Sequence, residues 1–410
     1  MKNTNKLMSK LSKLAVVSSL GLMAAASVNA ESKHYPSIAT KTKSVISALD
    51  AFVATLSSDQ IGSVQSTCTM DASGTLYYEF TDGLTTCWTN LPGGRNGLQF
   101  SKLSDAQLEA ALHLAKVALG ARGNTMLSEL RAADGELASV NSSMWGSELY
   151  SVAIYGTPST TEPWMLQFAG HHLAYNLTYN GTYNTATPMF LGVEPTNWTD
   201  SSGVAHAPMD IQREAAENLA NALQADSTAA TAAKLSGSYD DVVMGATGNM
   251  STSCDANFPL TYPTSNRGEL VSSLTNEQKR LVKKMIAAWT KLMPAAWTKE
   301  LNSVYESKAA LAETYVGYST GSGGTADFGA SPSGTSSQGS YLRIDGPRIW
   351  IEFAIQPGIG YSNSVHYHTI WRDKVADYGG EFTTKSTRTT GQCGNLSSSS
   401  STTPGGTPFN

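Results

Sequence analysis

Apolar positions recur at three- and four-residue spacing in several stretches of the chain. After Ser104 they are Leu108, Ala111, Leu112, Ala115 and Leu119; after Thr275 they are Leu281, Met285, Ala288 and Trp289. Ile211, Ala215, Leu219 and Leu223 share one face of a stretch over about 209–223, and a further helix is expected over about 43–56. That period marks one side of an α-helix. Two of these helices carry a start signal. Ser104-Asp105-Ala106-Gln107 and Thr275-Asn276-Glu277-Gln278 fit a capping box, in which the first side chain accepts from the third following amide and the Gln reaches back. Ser57-Ser58-Asp59-Gln60 has the same form, but polar, irregular sequence follows it and no helix is expected there.

Elsewhere the pattern is that of strands. Residues 164–179 are rich in aromatic and branched side chains and run into Asn180-Gly181, a pair suited to a tight turn, with 183–191 as the return strand. Residues 341–356 and 365–372 form a second such pair across Pro357-Gly358-Ile359-Gly360. The order helices, hairpin, helices, hairpin predicts an α+β fold: a mixed or antiparallel sheet built from two distant β-hairpins, flanked by several α-helices. Residues 319–340, almost all Gly, Ser, Thr and Ala, read as a mobile surface loop.

The first thirty residues follow a different logic. Lys2, Lys6, Lys10 and Lys13 precede an apolar run over 14–26 and the small-residue site Val28-Asn29-Ala30, the order a signal peptidase reads. The run is shorter than the roughly 20 residues of a membrane-spanning helix. The expected organisation is therefore a signal peptide over 1–30, one α+β domain over 31–395, and a Ser/Gly/Pro-rich disordered tail over 396–410. Periplasmic or extracellular residence follows, with no membrane span in the mature protein. Loss of the four lysines takes the formal charge from −5 to −9, and no basic cluster remains, which argues against a nucleic-acid partner. In an oxidising compartment the even set Cys68, Cys87, Cys254 and Cys393 reads as two disulfides, with Cys68–Cys87 and Cys254–Cys393 the favoured pairing of three. No C-x-x-C pair supports a cysteine-ligated zinc instead.

Candidate chemistry concentrates on histidine. Of seven in the chain, four fall in two pairs, His171-His172 and His366-Tyr367-His368. On a strand, the two-residue spacing of His366 and His368 puts both imidazoles on one face of the sheet, where they can share a transition metal such as zinc or copper. Adjacent residues on a strand face opposite ways, so only one of His171 and His172 is expected to join them. Glu352 places a carboxylate in the apolar strand Trp350-Ile351-Glu352-Phe353. Such a group needs a partner; it is read as a fourth ligand or a general base, with a plain ion pair to Arg343, Arg348 or Arg372 as the alternative. Arg372 and Asp373 are candidates to line a substrate mouth, with capping of the strand end as the alternative. No phosphate-binding glycine loop, H-E-x-x-H helix or Rossmann fingerprint occurs.

Taken together, Gly170-His171-His172-Leu173, Thr187-Pro188-Met189-Phe190-Leu191-Gly192-Val193-Glu194-Pro195, Asp345-Gly346-Pro347-Arg348-Ile349-Trp350-Ile351-Glu352, His366-Tyr367-His368, Trp371-Arg372-Asp373 and Asp377-Tyr378-Gly379 resemble the family known as domain of unknown function 3500. The likeness spans about 88–380. It implies a largely bacterial, often exported protein and draws attention to the same histidines without naming a reaction. The polar stretch 319–340 and the cysteines depart from the family pattern. The functional expectation is a metal-dependent enzyme, with hydrolysis slightly favoured because nothing in the sequence supplies an electron partner. The alternatives are a metal- or small-ligand-binding protein without catalysis, a copper or iron oxidoreductase, and an interaction module whose histidines are structural.

Overall fold

One large sheet organises the chain. The computed structural model describes residues 38–66, 68–70, 76–78, 95, 97–155, 157–161, 164–180, 183–245, 261–329 and 336–379. The expected signal segment, the tail, and Cys87, Cys254 and Cys393 lie outside them. Cys68 is placed by its backbone alone, so neither expected disulfide falls within the description.

Eight strands form the body of the sheet: β1 (Ser151–Tyr155), β2 (Trp164–Gly170), β3 (Leu173–Asn180), β4 (Met189–Val193), β5 (Tyr315–Ser319), β6 (Tyr341–Asp345), β7 (Ile349–Pro357) and β8 (Val365–Asp373). Their spatial order is β1-β2-β3-β4-β8-β7-β6-β5, every pair antiparallel. The two β-regions foreseen in the sequence meet where β4 pairs with β8, with His368 opposite Gly192. Four short strands, Gln65–Ser66, Leu98–Gln99, Tyr183–Thr185 and Glu269–Leu270, complete it. The helices are α1 (Ile38–Val53), α2 (Asp105–Ala118), α3 (Ala121–Asn141), α4 (Asp210–Gln224), α5 (Asn276–Thr290) and α6 (Ala295–Tyr305), with shorter ones between. The class is thus α+β.

Alternation along β7 and β8 separates two faces. Ile351, Phe353 and Ile355, with Val365, Tyr367 and Trp371, join the main core, which also takes Leu219 and Leu223 of α4 and Val282, Met285, Ile286 and Trp289 of α5. The Trp289 and Phe353 rings meet edge to face. Trp350, Glu352, Ala354, His366, His368, Ile370 and Arg372 belong to the opposite face, where Phe190, Trp350 and Ile370 pack with Met244 from the segment before the undescribed residues 246–260.

The capping boxes at Ser104 and Thr275 are both formed. Three expectations need correction. Ser57 and Gln60 also exchange their capping hydrogen bonds, and a helix, Ser58–Val64, does follow them. Each long apolar run is two strands rather than one. Residues 164–179 turn at His171-His172, where Gly170 pairs with Leu173, and residues 341–356 turn at Gly346, whose amide donates to the Ile349 carbonyl. Pro347, which has no N–H for a ladder, marks that second break. Finally, the described parts of the segment after β5, 320–329 and 336–340, are tied down: Ser322 N donates to Gln338 O, and Ala326 and Phe328 are buried in the core.

Candidate metal centre

His368 sits on β8 between two small residues, Gly192 on β4 and Ala354 on β7. A side chain on either strand would otherwise fill the space its ring occupies. At Gly192 a Cβ would lie 2.8 Å from His172 Cδ2, 3.0 Å from His368 Cδ2 and 2.9 Å from the Tyr367 carbonyl oxygen. The two imidazoles therefore converge over a position that only glycine leaves open. The Gly192 amide also donates to the His172 carbonyl, 2.8 Å, which holds the β2–β3 turn against β4.

His172, His366 and His368, all buried, each bring a ring nitrogen within 4.8 Å of the others. The remaining nitrogens of the β8 pair are engaged. His366 Nδ1 lies 2.7 Å from the Pro357 carbonyl, which can only accept, so Nδ1 carries the proton and Nε2 is a lone pair. That Nε2 is buried with no hydrogen-bond partner. His368 Nδ1 lies 2.9 Å from Asp241 Oδ1 on the segment covering this face. An imidazole whose far nitrogen is held by a carbonyl or carboxylate is the arrangement that orients a metal ligand.

Burial, with help from neighbouring imidazoles, keeps these rings neutral. It pulls His366 well below the usual histidine range, lowers His368 despite the opposing pull of Asp241, and brings His172 down to about 4. Neutral imidazole is the ligand form. Tetrahedral coordination at about 2.0–2.1 Å sets donors roughly 3.4 Å apart, so from separations of at most 4.8 Å binding would draw the donors together by no more than about 1.4 Å.

His171 and His172 occupy the turn, not a strand, and so do not face opposite ways. Asp134 on α3 lies 3.4 Å from His171 Nδ1 and 3.5 Å from His172 Nδ1, and the two rings are 3.7 Å apart. Burial pushes the Asp134 carboxyl up, but the attraction of the two neighbouring imidazoles prevails and brings it down to about 2.

Glu352 shares the histidines' face, but its carboxylate is otherwise occupied. It accepts from Trp350 Nε1 (2.5 Å), Tyr341 Oη (2.7 Å), Val243 N (2.5 Å) and Met244 N (2.8 Å). It thereby pins the segment that carries Asp241. Arg372 holds the same segment from the other side, donating Nε to Met244 O at 2.6 Å and Nη1 to Asp377 at 2.8 Å. Asp373 accepts from Arg348, from Tyr305 Oη at 2.8 Å and from the amides of Val375 and Ala376. Both residues sit at the end of β8 away from His366 and His368.

Sequence reasoning passed over four residues. Asp241 and Asp134 hold imidazoles, and Gly192 makes room for them. Glu194, also buried, accepts from the amides of Ile359, Gly360 and Tyr361 at 2.9–3.0 Å and fixes the turn between Pro357 and His366. Asp134 was detectable: it falls in the apolar stripe Leu127, Leu130, Leu137 of a helix, where a carboxylate is out of place.

The fold and site together define an α+β protein with a buried histidine cluster at the junction of two β-regions. The chain belongs to the family described as "Protein of unknown function (DUF3500)", whose model matches residues 39–380. No curated protein and no solved structure matches it. Among the described residues no helix is long and apolar enough to cross a membrane.

Proposed function

We propose that the chain is a metal-dependent enzyme whose ion is held by His172, His366 and His368, and that the ion activates water for hydrolysis of an ester, amide or similar bond. The observation that carries this reading is the state of His366: Nδ1 committed to the Pro357 carbonyl, Nε2 buried, unpaired and aimed among two further imidazoles. Leaving a buried nitrogen unpaired costs about 1–3 kcal/mol unless something accepts its lone pair. Three protein donors leave a coordination position for water, whose pKa zinc lowers to about 7.

Depth of burial favours a second reading, metal binding without turnover, since all three imidazoles are nearly inaccessible. Half-exposed Asp241 beside His368 marks the side from which water and a small substrate would enter. Elemental analysis of the purified protein, with hydrolysis of chromogenic esters before and after chelation, tests the proposal. Stoichiometric zinc with chelator-sensitive hydrolysis supports it; stoichiometric metal without hydrolysis favours the second reading. Bound copper or iron moves the chemistry to oxidation, and no metal, native or on titration, overturns both. We also propose that the work is done outside the cytoplasm, which amino-terminal sequencing of the mature protein would check at Ala30.

A further inference from the structure

We propose that His172 is shared between two metal ions, one held with His366 and His368, the other held by Asp134 and His171. The inference rests on the metal reading above and deepens it. Asp134, His171 and His172 form a second group whose ligand atoms lie within 4.8 Å of one another, and His172 is the one residue common to both groups.

The two edges of the His172 ring face different neighbours. Its Cδ2, the carbon next to Nε2, shares the space above Gly192 with Cδ2 of His368, so the Nε2 edge turns toward the β8 pair. Its Nδ1 turns toward Asp134 Oδ1, 3.5 Å away, and is buried without a hydrogen-bond partner. A ring serving only the first ion would be expected to donate Nδ1–H in a proper hydrogen bond, as His366 does to Pro357. Here Nδ1 and His171 Nδ1 instead stand 3.5 and 3.4 Å from the same carboxylate oxygen, Asp134 Oδ1, within a group whose ligand atoms all lie within 4.8 Å. Two nitrogens and one carboxylate oxygen fit zinc or copper.

Charge supports the pair. A bridging imidazole gives up its last ring proton, released to solvent as the second ion binds, and becomes an imidazolate. With the Asp134 carboxylate and the buried Glu194, which acts electrostatically on both His172 and His368, it offsets much of the charge of two divalent ions. Arg95, the nearby cation acting on Asp134 and His171, sits on the second site's side and opposes it in part.

The test is stoichiometry. The chelator-stripped full chain would be titrated with cobalt(II), followed by its ligand-field absorption, then loaded with zinc and analysed after gel filtration, with circular dichroism to confirm folding. Wild type should bind two ions per chain. Asp134→Asn and His171→Ala should each bind one, and so should the double variant His366→Ala/His368→Ala. A wild type that binds a single ion, lost only in the double variant, overturns the shared-histidine proposal and leaves the single centre standing. Two ions retained by both Asp134→Asn and His171→Ala overturns it as well. No binding at all refutes the metal reading itself.

Discussion

Replacing Gly192 by Ala isolates the convergence of the imidazoles from their chemistry, because it removes no ligand. The new Cβ would stand 2.8 Å from His172 Cδ2 and 3.0 Å from His368 Cδ2, where 3.4 Å is the lower edge of ordinary contact. The rings must therefore retreat by about 0.4–0.6 Å, beyond the roughly 0.2 Å tolerance of a metal–ligand bond. Retreat of the whole strand is resisted as well. The third contact, 2.9 Å to the Tyr367 carbonyl, is backbone of the paired β8. Zinc affinity should fall about 10–100-fold, the range seen when a ligand's orientation is lost. Overpacking should cost about 1–3 kcal/mol, offset by the ~0.4–1 kcal/mol that Gly-to-Ala gains by restricting the unfolded chain. Competition with a chromogenic chelator measures the first effect and urea unfolding the second. Gly62→Ala, where nothing lies within 4 Å of the new Cβ, is the control. Unchanged zinc affinity in Gly192→Ala with the fold intact would refute the assignment of these rings to one ion.

Glu352→Gln should lower stability by about 2–4 kcal/mol, because an amide cannot accept from four donors at once. Metal content should be unchanged wherever the variant folds, and loss of metal with unaltered urea stability would make Glu352 a ligand after all. Asp241→Ala should weaken zinc binding about 10-fold or more through loss of the bond to His368 Nδ1, with little change in thermal midpoint, since Asp241 is half exposed. The metal-free protein should lose stability on acidification. His172 titrates near 6.5 when unfolded but at about 4 when folded, so between these values the unfolded chain binds the extra proton and stability falls with pH. For His172 alone the loss approaches ~3 kcal/mol at the lower end, and His171, His366 and His368 act in the same direction. Urea midpoints in chelator at pH 7.5 and 4.5 measure it, and equal midpoints would show that the rings are not buried as described.

What could be read from the chain and what could not divides along a physical line. Helix periodicity and capping boxes are local, and the helices after Ser104 and Thr275 formed with their caps in place. The H-x-H spacing is equally local: period two on β8 puts His366 and His368 on one face whatever surrounds them. The third imidazole is a different matter. An unbroken strand through His171 and His172 would have sent them to opposite faces. Gly170 instead lies against the Tyr150 ring with no room for a Cβ, and the chain reverses there, leaving both imidazoles at the turn beside Asp134. Whether they reach His368 depends on the β4–β8 register, which sets Gly192 opposite His368 across 176 positions of sequence. A one-residue slip would place Leu191 or Val193 there and close the space. The same register carries Glu194 to the turn before His366 and leaves Ala354 on His368's other flank. The donors are thus written in short motifs, while the room for an ion between them is written in glycine and alanine, whose role appears only once the strands are paired.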